Sequence, residues 1–162
     1  QQSTVITVHR RRAVHCSPFT AHCALNLRWE NIVPNPLPRV LIVDDEPDIC
    51  WVLENTLQPE GYAVTATTSG ARALELIRER FFDLAFVDAK LPDLDGLELA
   101  ARIHQDSPQT AIVLISGYFY KEDRAISERL QDRLFVGFIP KPFDLNQVRL
   151  IAQQAVKVPP RG

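Results

Sequence analysis

The sequence predicts an α/β domain built on an open, parallel, five-stranded sheet. Four short apolar runs, Val40–Val43, Leu84–Val87, Ile112–Ile115 and Val136–Ile139, are too short for helices and lack the polar alternation of half-exposed strands. Strands buried on both faces read this way. Segments with apolar residues at helical spacing separate the runs, the pattern of repeated βα units. The third observation is the polar residue at the end of each run: Asp44 and Asp45 after the first, Asp88 after the second, Ser116 after the third, and Lys141 just beyond the last. In an open parallel sheet the carboxyl ends of the strands share one edge, so these five side chains are expected to converge on one crevice.

The first strand spans about residues 39–43. Pro47 then suits the first turn of a helix in which Ile49, Val52, Leu53, Thr56 and Leu57 line one face. Gly61 closes that helix, and residues 62–66 form the second strand. Ser69 caps a helix carrying Ala73, Leu74 and Ile77, and residues 83–87 form the third strand. Gly96 opens a helix to about His104, and residues 110–115 are the fourth strand. A fourth helix at about 121–130, a fifth strand at 135–139 and a fifth helix with Val148, Ile151, Ala152 and Ala155 on one face complete the pattern. The expected architecture is a flavodoxin-like (βα)5 three-layer sandwich over residues 39–157, with parallel sheet order 2-1-3-4-5.

The 162 residues have room for one such domain and a tail. The longest apolar stretches have five residues or fewer, too short to span a membrane. Residues 1–38 hold four Arg against one Glu, whereas residues 39–162 hold 14 basic against 19 acidic residues. An acidic domain without a basic stripe is a poor direct ligand for nucleic acid, so its partners are expected to be proteins. Three cysteines, Cys16, Cys23 and Cys50, make no disulfide framework, which favours a reducing cytoplasm. Residues 1–38 stand outside the periodic pattern and end in a cluster of Pro34, Pro36 and Pro38. They are expected to be a disordered or loosely docked extension, and 158–162 a tail or truncated linker. The pairs His15-Cys16 and His22-Cys23 match no usual zinc spacing.

Nothing in the packing of a soluble domain calls for three carboxylates in one pocket. Two of them roughly 4 Å apart repel by about 4 kcal/mol at an effective dielectric of about 20. A cation is therefore expected, and a site of oxygen ligands completed by water and phosphate suits Mg²⁺ better than Ca²⁺. Any one of these acids alone would be an ordinary cap or turn residue. Their joint placement at strand ends is what points to a site.

The runs Val-Asp-Asp-Glu-Pro at 43–47, Val-Asp-Ala-Lys-Leu-Pro-Asp-Leu-Asp-Gly at 87–96, Ile-Ser-Gly-Tyr at 115–118 and Pro-Lys-Pro-Phe at 140–143 together resemble the receiver domain of two-component response regulators, over residues 39 to about 157. The resemblance implies that Asp88 accepts a phosphoryl group from a sensor histidine kinase or phosphotransfer protein. It also implies Mg²⁺ ligation by Asp45, Asp88 and the Lys90 carbonyl, with Asp44 acting through water. Lys141 would contact a phosphoryl oxygen, Ser116 would bond the attached group, and Phe138 would occupy the aromatic switch position. Pro142 would follow a cis peptide bond. Such a domain is a signalling switch whose only catalysis is its own phosphoryl transfer and dephosphorylation. The resemblance further implies a homodimer through helix 4, strand 5 and helix 5. The 25-residue interval from Ser116 to Lys141 is longer than usual for the family and weakens expectations for that face. Two other readings stand beside this one: a non-phosphorylated docking module on the same fold, and a Mg²⁺-dependent phosphohydrolase with a strand-end aspartate nucleophile, which would want a second acid where this chain has Lys90.

Overall fold

A computed structural model describes residues 36–117 and 134–157. Its elements are β1 (Arg39–Val43), α1 (Pro47–Leu57), β2 (Ala63–Thr67), α2 (Gly70–Glu79), β3 (Leu84–Asp88), α3 (Gly96–Asp106), β4 (Ala111–Ser116), β5 (Gly137–Pro140) and a C-terminal helix (Leu145–Lys157). The five strands form one sheet in the order β2-β1-β3-β4-β5, and every neighbouring pair is parallel. This is the flavodoxin-like order expected from the sequence. The fourth helix, residues 1–35 with Cys16 and Cys23, and the 158–162 tail lie outside the described residues, as does part of the expected dimer face. Among the described residues no helix is long and apolar enough to cross a membrane.

Side chains of successive strand residues point to opposite faces, so each continuous apolar run feeds two cores. Leu41, Val43, Ala85, Val87, Ile112 and Leu114 pack on one face against Leu74 and Ile77 of α2 and Leu99 and Ile103 of α3. Val40, Ile42, Leu84, Phe86, Val113 and Ile115 pack on the other against Leu53 and Leu57 of α1 and Val148 and Ala152 of the C-terminal helix. The result is helices on both faces of the sheet. β3 is buried along its whole length, whereas β2 at the sheet edge is at most half-buried.

Local signals hold these elements in place. Pro47 occupies the first turn of α1, and Gly61, with φ of 91°, closes the 3-10 turn Gln58–Glu60 that follows α1. Ser69 caps α2 by accepting from the Arg72 amide, and Asp95 caps α3 by accepting from the Leu97 and Glu98 amides. Differences from the sequence reading are of one or two residues at element ends: β2 begins at Ala63 rather than Tyr62, β4 runs to Ser116, β5 begins at Gly137, and α3 continues to Asp106. Ile49 and Val52, expected on the buried face of α1, are half-buried, while Cys50 is buried.

The loop from β3 to α3 folds back on itself. The Gly96 amide donates to the Ala89 carbonyl at 3.1 Å, and Lys90 and Asp95 form an antiparallel bridge. Gly96 therefore lies directly on the end of β3: a Cβ there would fall 2.0 Å from the Asp88 carbonyl oxygen. Because the obstacle is backbone, Gly96→Ala is expected to lower unfolding free energy by at least about 2 kcal/mol in denaturant titration. Phe86, fully buried in β3, should cost about 3–5 kcal/mol as Phe86→Ala in the same assay. Trp51, 64% exposed on α1, should change stability by only about 0.5 kcal/mol or less as Trp51→Ala.

Candidate functional site

Three strand ends build the site. Asp44 comes directly after the last residue of β1 and is fully buried; its amide donates to the Thr67 carbonyl at 3.2 Å, and its Oδ1 accepts from the Glu46 amide at 2.9 Å. Asp88 is the last residue of β3, 5% exposed, with Oδ1 accepting from the Lys90 amide at 2.8 Å. Lys141 comes directly after β5, anchored by its own amide to the Ser116 carbonyl at 2.7 Å. Its peptide bond to Pro142 is cis, as the resemblance implied.

The Lys141 ammonium is the hub. Nζ donates to Asp88 Oδ2 at 2.5 Å and to Glu46 Oε1 at 3.0 Å, and lies 2.9 Å from Asp44 Oδ2. The last approach is electrostatic, without hydrogen-bond alignment, so buried Asp44 Oδ2 has no hydrogen-bond partner. Burial would pull the ammonium down, but the carboxylates of Asp88, Asp44 and Glu46 outweigh it and hold Lys141 above the ordinary lysine value. For Asp44 the balance goes the other way. Burial pushes its carboxyl up and nearby Asp88 adds to the rise, while Lys141 and the Glu46 amide do not fully offset it.

One carboxylate oxygen each from Asp44, Glu46 and Asp88 lies within 4.8 Å of the others, where each pair of charges repels by about 3–4 kcal/mol at an effective dielectric of about 20. One ammonium among three acids leaves a surplus of negative charge. That surplus and the all-oxygen donor set suit a hard divalent cation such as Mg²⁺.

Of the residues singled out in the sequence, Asp44, Asp88 and Lys141 meet directly. Ser116 is buried at the end of β4, joined to the site through the Lys141 amide. Lys90 is exposed and reaches Asp88 through its backbone. Phe138 in β5 is half-buried against the core shared with α2 and α3. Asp45 is exposed and is not one of the three whose carboxylate oxygens lie together. Glu46 takes a place in the cluster that the sequence reading did not give it. The signal was present: Glu46 lies in the same acidic run, at the N-cap of α1, where the chain bends back over the strand end. Cys50 lies just beneath, its thiol donating to the Asp44 carbonyl at 3.3 Å; burial pushes that thiol up to about 11, making it an inert packing group.

Comparisons with known proteins agree with this geometry. Residues 40–153 match the family model of the response regulator receiver domain. The chain is 38% identical over 120 residues to the response regulator protein PilR of Pseudomonas aeruginosa, an alignment covering 74% of this chain and 26% of that protein. It is 31% identical over 117 residues to the DNA-binding transcriptional regulator NtrC of Escherichia coli K12, covering 72% and 24%. The chain thus spans about a quarter of the length of these relatives. Among solved structures, the signal receiver domain of an HD domain-containing protein from Pseudomonas fluorescens Pf-5 superposes with a TM-score of 0.70 at 30% identity, covering 77% of this chain and 90% of that one. The response regulator protein TrrA of Thermotoga maritima, in complex with Mg²⁺-BeF, does so with a TM-score of 0.65 at 28% identity, covering 74% and 99%. With its sheet order, its strand-end acids and the lysine that joins them, this chain belongs to the family of response regulator receiver domains.

Proposed function

We propose that this domain accepts a phosphoryl group on Asp88 from a phosphohistidine of a sensor histidine kinase or phosphotransfer protein and acts as a phosphorylation-dependent switch. The observation that carries the reading is the Asp88 carboxylate, held at the end of β3 between the Lys141 ammonium at 2.5 Å and the Lys90 amide at 2.8 Å. In the transfer, a carboxylate oxygen of Asp88 forms the new O–P bond as the N–P bond of the donor breaks, and the imidazole leaves with the electron pair. Lys141 places positive charge where the phosphoryl oxygens gain negative charge. A Mg²⁺ ion held by Asp44, Asp88 and Glu46 would supply further charge neutralisation. Asp45 and the Lys90 carbonyl, the ligands that the resemblance implies, remain candidates for the same ion. Gly117, next to Ser116, has no side chain to obstruct the approach of a donor.

The response to phosphorylation starts from the same atoms. A new dianionic group would draw the Ser116 hydroxyl toward it, and the space so vacated would let Phe138, half-buried against the core, turn further inward. A cytoplasmic site of action goes with this reading; Cys50 is a buried free thiol, in keeping with a reducing compartment. The docking-module reading predicts no labelling, and the phosphohydrolase reading predicts sustained turnover of a phosphomonoester.

Incubation with acetyl phosphate and Mg²⁺ should label the wild-type protein stoichiometrically, and Asp88→Asn should take no label when phosphoprotein is measured by phosphate-affinity electrophoresis. Removing the divalent ion with EDTA should abolish labelling, and restoring Mg²⁺ should recover it. Lys141→Ala should slow labelling by about 100-fold or more while leaving the domain folded, because it removes the cation aimed at the transferring group.

A further inference from the structure

A second carboxylate in the β3–α3 loop works on the neighbouring helix rather than in the pocket. Asp93 Oδ2 accepts from the Ser69 hydroxyl at 2.8 Å and from the Ala71 amide at 3.0 Å, and its Oδ1 accepts from the Gly70 amide at 3.1 Å. These bonds hold the Asp93 carboxyl below the usual aspartate value. Helix α2 already has its own cap, since Ser69 Oγ accepts from the Arg72 amide at 3.2 Å. The two amides that Asp93 takes are ones that most helices leave to water. Gly70 is matched to this contact: a Cβ there would meet Leu94 Cβ at 3.1 Å and Asp93 Oδ1 at 3.4 Å. The loop is thus drawn against α2 both by hydrogen bonds and by a gap in the helix surface.

Traced in both directions, these bonds close a belt around the pocket. On one side the Ser69 amide donates to Thr67 Oγ1 at 3.3 Å, and the Thr67 carbonyl accepts from the Asp44 amide at 3.2 Å. On the other, the loop returns from Asp93 through Asp95, bridged to Lys90, whose amide donates to Asp88 Oδ1. We infer that Asp93 is a positioning residue: by tying the β3–α3 loop to the start of α2, it fixes the Lys90 amide against the Asp88 carboxylate and so sets how long a phosphoryl group on Asp88 survives. The second half of this statement rests on the phosphoacceptor reading above, while the first half stands on geometry alone.

The test uses the full chain and measures amide hydrogen exchange by NMR together with the half-life of the acetyl-phosphate label. In Asp93→Ala the Lys90 amide is expected to exchange about tenfold faster, the scale of a lost helix cap, and the label half-life to shorten several-fold. Asp93→Asn should fall between the two, because its Oδ1 can still accept from Gly70 and its amide can meet Ser69. Asp106→Ala, which removes the Arg78–Asp106 ion pair between α2 and α3, is the control for general loosening and should leave Lys90 exchange unchanged. Faster exchange at Gly70 and Ala71 with Lys90 protection intact would overturn the proposal, as would a label half-life insensitive to Asp93→Ala. If the wild-type protein takes no label at all, the phosphoacceptor reading fails, and Lys90 exchange still decides whether Asp93 positions the loop.

Discussion

The site depends on one electrostatic arrangement: a single ammonium, Lys141 Nζ, within 3.0 Å of oxygens from Asp44, Glu46 and Asp88. Asp44 and Glu46 follow β1, Asp88 ends β3 and Lys141 follows β5, and the parallel sheet brings these three strand ends together. Without a cation between them, three carboxylates so close would cost several kcal/mol, a sizeable part of the roughly 5–15 kcal/mol by which such a domain is stable. Lys141 reduces that cost without cancelling it. The remaining negative charge leaves the pocket suited to a divalent ion, which together with Lys141 would supply the positive charge that a phosphoryl group needs beside it.

The rest of the fold can be understood as support for that arrangement. β1 and β3, both buried in the middle of the sheet, fix Asp44 and Asp88, and their register, with Val43 opposite Val87, sets the two acids side by side. Lys141 belongs to the edge strand β5, which is less buried, and its position is secured by the Ser116 carbonyl instead. Gly96, which leaves room for the Asp88 carbonyl, and Asp93, which bonds to the start of α2, restrain the β3–α3 loop beside Asp88. Core packing thus places Asp44 and Asp88, while loop hydrogen bonds place the groups around them.

Much of this was legible in the sequence for identifiable reasons. Uninterrupted apolar runs such as Leu84–Val87 announce strands buried on both faces, and the parallel topology then forces the residue after each run to one edge. That rule located Asp44, Asp88, Ser116 and Lys141. It does not separate Asp45, exposed and outside the group of three, from Asp44, because it counts positions along the chain and says nothing of which way a side chain turns when a strand ends. It passed over Glu46 for the same reason, since a residue at a helix N-cap reaches the pocket only by the bend between strand and helix. The sequence does not single out Asp93; its three bonds to Ser69, Gly70 and Ala71 depend on how α2 lies beside the β3–α3 loop, which no local pattern encodes. Strand ends moved by one or two residues where a pairing continued past the apolar run, as at Ser116 opposite Pro140.

The central claim is chemical: the buried carboxylate beside Lys141 is the atom group that carries phosphate. Its most direct test is reductive trapping of the labelled protein with borohydride, which converts an acyl phosphate to an alcohol, with peptide mapping of the product. The account predicts a single modified position, Asp88, present only after phosphorylation. Modification at any other carboxylate, or none in a protein that has taken up label, would contradict it.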